Sequence, residues 1–203
     1  MIAPSSDGEA AEPLVAVLAG GLGRRLGGEK PAAELGGRPL IEHALAATSA
    51  AGLRAVVVAH ADSHLPALSA PVLIEPPGVR HPLWGLAAAL HSDEGRGSGV
   101  LALGCDMPFV SAALLRDLAQ LQARTVAISV DGRLQPLPAR YAPAHAAALE
   151  AAAVSGLAMG ETLEQLGATV LDEAWLRRYG DPVRLLFSVN EPADLRRARR
   201  WLE

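Results

Sequence analysis

Short continuous apolar runs alternate with segments of helical spacing along the first half of this chain. Leu14–Leu18, Ala55–Ala59, Val72–Ile74 and Val100–Leu103 consist almost wholly of Val, Leu, Ile and Ala. They are too short for helices and lack the polar alternation of a half-exposed strand, so they predict buried parallel strands. Between the first two, Leu40, Ile41, Ala44, Leu45 and Thr48 recur on one helical face. Pro39 at the start and Gly52 at the stop bound that helix at about residues 39–51. A second helix is predicted over Pro82–His91, and a third from a Ser111 cap to about Ala123. Strands alternating with helices imply an α/β fold with a doubly wound, mostly parallel sheet, whose ligands sit beyond the carboxyl ends of the strands.

The second half has a different rhythm. Thr125–Val130 and Leu134–Tyr141 flank Asp131-Gly132, a hairpin signal. Pro136 and Pro138 mark the return strand as an edge or an irregular one. Helices are predicted over Ala144–Val154 and Glu161–Leu166, and strands over Thr169–Leu171 and Leu185–Val189. A last helix starts at Asn190–Asp194 and runs to Leu202, with Leu195, Ala198 and Leu202 inward and its four arginines outward. Repeats and long linkers are absent, so residues 14–203 read as a single domain with the hairpin as a cap. Residues 1–13 are small, acidic and polar, without the cationic flank and apolar run of a signal peptide. They are expected to form a disordered N-terminal tail.

One stretch stands outside both periodicities. Ala19 to Gly28 holds five glycines and two arginines, and Lys30 follows. A strand running into a glycine-rich, basic loop suits polyphosphate, because missing β-carbons let backbone N–H groups approach the oxygens. It is not a Walker loop: Lys30 is followed by Pro31, with no hydroxyl for magnesium. It is not a dinucleotide fingerprint either, since Leu26 takes the place of the third glycine. Lys30 is a point charge on a flexible stem, Arg25 has the geometry to grip phosphate oxygens in pairs, and Arg24 reads as solvated.

Asp106 is the second anchor, in Gly104-Cys105-Asp106-Met107-Pro108 at the end of an apolar run. A carboxylate there is a hard-oxygen ligand for magnesium bound jointly with substrate phosphates. The His60–His64 pair has a metal-like spacing but no third ligand, and Cys105 reads as a small apolar filler. No serine sits in a nucleophile elbow.

Composition narrows the picture further. The 203 residues include only 3% aromatics, so Ala, Leu and Val must build the core. A net charge of −4 argues against a general nucleic-acid binder, and no run is apolar enough to cross a membrane. The lone cysteine excludes an intrachain disulfide and fits a reducing, cytoplasmic setting.

The stretches LAGGLGRRLGGEKPAAELGGRPLIEHAL, LALGCDMPFV, DGRLQPLPARY and FSVNEPADL, in that order, resemble the molybdenum cofactor guanylyltransferases. The likeness spans nearly the whole chain after residue 13. It implies a Rossmann-like three-layer αβα fold of the nucleotide-diphospho-sugar transferase type, and Mg²⁺-dependent transfer of GMP from GTP to the phosphate of molybdopterin, with release of pyrophosphate. On that likeness Leu18, Ala19, Gly20, Gly21, Lys30, Glu75 and Asp106 bind the nucleotide, and Asp106 holds Mg²⁺. Lys30, Arg25 and Asp106 carry the chemistry, while Gln135 and Asn190 face the acceptor. Its protein partners would be carriers of the molybdenum cofactor or apo-molybdoenzymes. The chain departs from the family pattern at Glu29, Ala59, Pro76, His81 and Ser188, mostly around the base. Two alternatives stay open: a relative using CTP or another phosphorylated acceptor, and a non-catalytic nucleotide- or cofactor-binding homologue.

Overall fold

A computed structural model describes residues 12–21, 30–121 and 125–203. The strands are β1 (Leu14–Leu18), β2 (Glu34–Leu35), β3 (Arg38–Pro39), β4 (Ala55–Ala59), β5 (Val72–Ile74), β6 (Val100–Gly104), β7 (Val126–Val130), β8 (Arg133–Tyr141) and β9 (Thr169–Leu171). The helices are α1 (Leu40–Ala50), α2 (Pro82–His91), α3 (Asp93–Ser98), α4 (Ala112–Gln120), α5 (Ala146–Val154), α6 (Met159–Gln165), α7 (Glu173–Arg177), α8 (Pro182–Leu185) and α9 (Pro192–Arg200). The four apolar runs of the first half become parallel strands, as their composition predicts.

Seven strands form one sheet in the order β5-β4-β1-β6-β8-β7-β9. All run parallel except β8, which lies antiparallel between β6 and β7. Side chains on successive strand residues point to opposite faces, so each apolar run serves two cores. Val15, Val17, Val57, Leu101 and Leu103 meet α1 and α4 on one face through Ile41, Leu45, Leu114 and Leu118. Ala16, Val58, Val100 and Ala102 meet α2 and α5 on the other, through Leu83, Leu86, Leu90 and Leu149. The alanines on α2 and α5 let those helices approach closely, which compensates for the scarcity of aromatics. Each fully buried leucine contributes about 1.5–3 kcal/mol of transfer free energy. This is the expected αβα layering.

Several local expectations are corrected. The β7–β8 hairpin is no cap, and β8 is no edge strand: it fills the sheet interior beside β6. Its prolines are accommodated because pairing with β6 covers only Ala139–Tyr141, and register with β7 shifts between Val126 and Ile128. Residues without an N–H fall where the ladder is interrupted. Leu185–Val189 is not a strand. Asp181 Oδ1 accepts from Val183 N–H at 3.2 Å and Pro182 opens α8, so helix-start chemistry overrides the apolar run. α9 ends at Arg200, and Leu202 is exposed rather than inward, although Ala198 is buried. α3, α7 and the small β2–β3 hairpin have too few residues for their periodicity to be legible. The hairpin turns on Gly36 and Gly37, both at positive φ. Parts of the expected tail, the Arg24 and Arg25 positions and the predicted extension of α4 to Ala123 lie outside the described residues. No helix among the described residues is long and apolar enough to cross a membrane.

Candidate active site

β1 and β6 are neighbours, and their register pairs Leu18 with Gly104. The pairing continues one step further, with Cys105 N–H donating to the Leu18 carbonyl at 3.2 Å, and on the β4 side Ala19 N–H donates to the Val58 carbonyl at 2.8 Å. Both chains therefore leave the sheet at the same carboxyl edge. Gly20 and Gly21 emerge from β1 beside Asp106, which emerges from β6. Gly104 is required there, because a β-carbon would collide with Asp106 Oδ1.

Lys30 and the segment before α9 complete this corner. Lys30 Nζ lies 2.5 Å from Asp106 Oδ2 and donates to Asn190 Oδ1 at 2.7 Å. Ser188 donates its hydroxyl to the same carboxylate oxygen, and Asn190 Nδ2 donates to Ser188 Oγ at 3.1 Å. Val189 N–H donates to the Asp106 carbonyl at 2.9 Å, so backbone as well as side chains tie the two segments together. The irregular course of residues 186–190 is what delivers these groups; a strand here would hold them in a sheet ladder.

A cleft of about 290 Å³ opens beside this corner, lined by Leu18, Gly20, Gly21, Lys30, Asp106 and, on its other wall, Glu75 and His81. Glu75 follows β5 and is buried, its side chain only 5% exposed. Burial pushes its carboxyl up to about 7, partly opposed by the Arg80 guanidinium. Oε2 has no hydrogen-bond partner among the described residues, and His60 Nδ1 stands 3.4 Å from it. Burial, then Arg80, holds the His60 imidazole below the usual histidine range. A β-carbon on Gly20 or on Gly85 would come within 2.7 Å of Glu75 Oε1, so glycine at both positions makes room for the carboxylate. A larger groove of about 510 Å³ lies at the amino ends of the strands, lined by Leu14, Leu53, Ala55 and Val72. Its walls are mostly apolar, and the titratable cluster belongs to the smaller cleft.

The structure thus brings Leu18, Gly20, Gly21, Lys30, Glu75 and Asp106 to one cleft, with Asn190 in contact through Lys30. Ala19 is buried at the end of β1. Gln135 is not among the cleft-lining residues: it sits on β8 and its amide donates to the Arg133 carbonyl at 3.2 Å. Arg25 lies outside the described residues. Cys105 is buried, and burial pushes its thiol up to about 12, which suits a filler and not a nucleophile. His60 faces Glu75 and not His64, and no cluster of three His, Cys, Asp or Glu residues suited to a metal occurs among the described residues. Ser188, which the sequence marks only as a departure from the family pattern, contacts Asp106 from 82 positions away.

The donor set suits a magnesium ion shared with phosphates. Asp106 already faces a cation, the Lys30 ammonium, and oxygens of Asn190 and Ser188 stand beside it. A magnesium site of this kind uses one or two carboxylates and takes its remaining ligands from substrate and water.

Residues 15–170 match the model of the MobA-like NTP transferase domain. A molybdenum cofactor guanylyltransferase of Rhizobium johnstonii is 30% identical over 195 residues, which cover 92% of this chain and 91% of that protein. One of Pseudomonas syringae is 34% identical over 149 residues, 70% of this chain and 73% of its own length. Among solved structures, molybdopterin-guanine dinucleotide biosynthesis protein A of Archaeoglobus fulgidus superposes with a TM-score of 0.77 at 29% identity, covering 93% of this chain and 98% of that one. The fold extends to 2-C-methyl-D-erythritol 4-phosphate cytidylyltransferase of Thermus thermophilus, with a TM-score of 0.66 at 21% identity over 94% of this chain and 98% of that one. With a glycine-rich strand end, a lysine and a strand-end aspartate converging on one cleft, this chain belongs to the MobA-like NTP transferase family and is a nucleotidyltransferase.

Proposed function

We propose that this nucleotidyltransferase transfers GMP from GTP to the terminal phosphate of molybdopterin and releases pyrophosphate. The observation that carries the reading is the convergence of Lys30, Asp106 and Asn190 beside Gly20 and Gly21, with a buried carboxylate at Glu75 on the opposite wall whose Oε2 has no hydrogen-bond partner among the described residues. The names of the relatives support the same acceptor.

In this reading the Glu75 carboxylate accepts from the two donors on the guanine edge, N1–H and the 2-amino group. Backbone N–H groups of Gly20 and Gly21 receive the phosphates, with Lys30 and Arg25 neutralising the oxygens that leave as pyrophosphate. Lys30, on an unbranched stem, swings from Asp106 to those oxygens. Asp106 would hold Mg²⁺, which when bound neutralises charge between the α-phosphate and the incoming phosphate. The nucleophile is itself a phosphate oxygen, already ionised at neutral pH, so the chain needs to supply no general base. What it supplies is charge and position. Asn190, hydrogen-bonded to Lys30, would contact the acceptor.

Calorimetry with GTP, ATP and CTP in the presence of Mg²⁺ tests the base. GTP is expected to bind most tightly; equal affinities, or a preference for CTP, would refute the guanylyl reading. Pyrophosphate release on adding molybdopterin tests the transfer.

Glu75 adds a pH prediction. Its folded value of about 7 lies above the ordinary 4.5. The sign follows from linkage: the neutral acid is favoured in the fold, so its stabilising contribution is complete below about pH 4.5 and is lost as pH rises through about 7. E75Q is therefore expected to melt at a higher temperature than the parent at pH 8, with the difference vanishing near pH 4.5. GTP affinity is expected to rise through about pH 7 in the parent and to be weak and flat in E75Q. The groups facing Glu75 are His60, Arg80 and His81. Burial holds both histidines below the usual histidine range. A flat profile in the parent would remove Glu75 from the base site.

A further inference from the structure

His81 lines the cleft that holds Glu75. Its backbone is extended, with φ −142 and ψ 139, and it caps α2. The capping atom is Nδ1, which accepts from Leu83 N–H at 3.2 Å. A neutral imidazole whose Nδ1 accepts must carry its proton on Nε2. The ring thus has a fixed tautomer, and its Nε2–H is a donor not used by the cap. Pro82 follows, and Trp84 N–H donates to the His81 carbonyl at 2.9 Å, so the residue is held from both sides of the helix start.

Once ionised, the Glu75 carboxylate offers acceptors to the cleft and no donor. A carboxylate alone favours an edge with adjacent N–H groups, but it leaves an exocyclic oxygen beside those groups without a partner. A neutral N–H on the same wall supplies that partner. We propose that His81 is a specificity-determining residue, which donates Nε2–H to the 6-oxo group of a purine whose N1–H and 2-amino group are read by Glu75. The inference rests on the guanylyl reading above and extends it to a second side chain. Guanine and hypoxanthine carry the oxygen; adenine presents an amino group at that place, and two donors then face each other.

The bland alternative is that His81 is only a cap, and the choice of variant separates the two. H81S keeps a capping oxygen and loses the ring donor. H81N keeps a capping oxygen and retains an amide donor. Calorimetry with GTP, ITP and ATP in the presence of Mg²⁺ is run on the intact parent and both variants, with melting temperatures as a check on the cap. In H81S, affinities for GTP and ITP are expected to fall together by about 3- to 10-fold, the worth of one neutral hydrogen bond, while ATP does not weaken. H81N should recover part of the loss. An equal fall for GTP and ATP, or a GTP-to-ATP ratio unchanged in H81S, would overturn the role of His81 while leaving the guanylyl reading intact. A parent protein with no preference for GTP over ATP would overturn that reading, and this inference with it.

Discussion

Asp106→Asn is expected to abolish detectable turnover while leaving the fold in place. The substitution removes the carboxylate that Lys30 and Ser188 contact, at the corner where they meet Asn190. A neutral amide holds a divalent cation poorly and leaves phosphate charge uncompensated, a loss of about 10³-fold or more when charge stabilisation dominates catalysis. The fold has other ties in this region. Val189 N–H donates to the Asp106 backbone carbonyl, which the substitution spares, and Lys30 keeps Asn190 Oδ1 as a partner. The pair is largely buried, with side chains 17% and 12% exposed, but the asparagine amide keeps an oxygen for Lys30 and Ser188, so the loss of stability should be about 1–2 kcal/mol. For a chain of this size that lowers the melting temperature by a few degrees. Pyrophosphate release at the parental rate would sink the assignment of Asp106; an unfolded variant, read by circular dichroism, would show the pair to be structural first.

Lys30→Ala is the second large effect. Its ammonium bridges Asp106, which follows β6, and Asn190, which precedes α9 and lies 160 positions from Lys30. In transfer it must leave that bridge for phosphate oxygens. If it stabilises charge that develops as pyrophosphate departs, kcat/KM falls by about 100-fold or more, with kcat carrying most of the loss. Lys30→Arg is a useful companion. The guanidinium keeps the charge but is planar and bulkier, and does not fit between two oxygens 2.5 and 2.7 Å from one nitrogen. Arginine should therefore rescue only a small part of the activity. A rise in KM with kcat level would make Lys30 a uniform binding contact and end its catalytic assignment.

The chain's local chemistry specifies the seven strands of the main sheet and most helices. Four apolar runs of the first half read directly as β1, β4, β5 and β6, because a strand covered on both faces needs no polar alternation. Pro39, Pro82 and Ser111 announced three helix starts, since capping and a fixed φ act within a few residues. Gly20, Gly21, Lys30 and Asp106 were legible for a related reason: glycine density and a carboxylate at a strand end are short-range signals. What depended on the fold were the pairings between distant segments. The insertion of β8 between β6 and β7 is a choice among sheet neighbours; Pro136 and Pro138 locally argue for an edge or an irregular strand, and the sheet takes the irregular one. Leu185–Val189 has a strand's composition, yet the cap at Asp181 and the bonds from 188–190 to Asp106 and Lys30 hold it as a helix end and an irregular segment. The burial of Glu75 against Gly20 and Gly85, and with it the raised carboxyl beside His60, arises only when three separate chain segments close on one cleft. Periodicity records which face of an element is covered; only the assembled sheet decides what covers it.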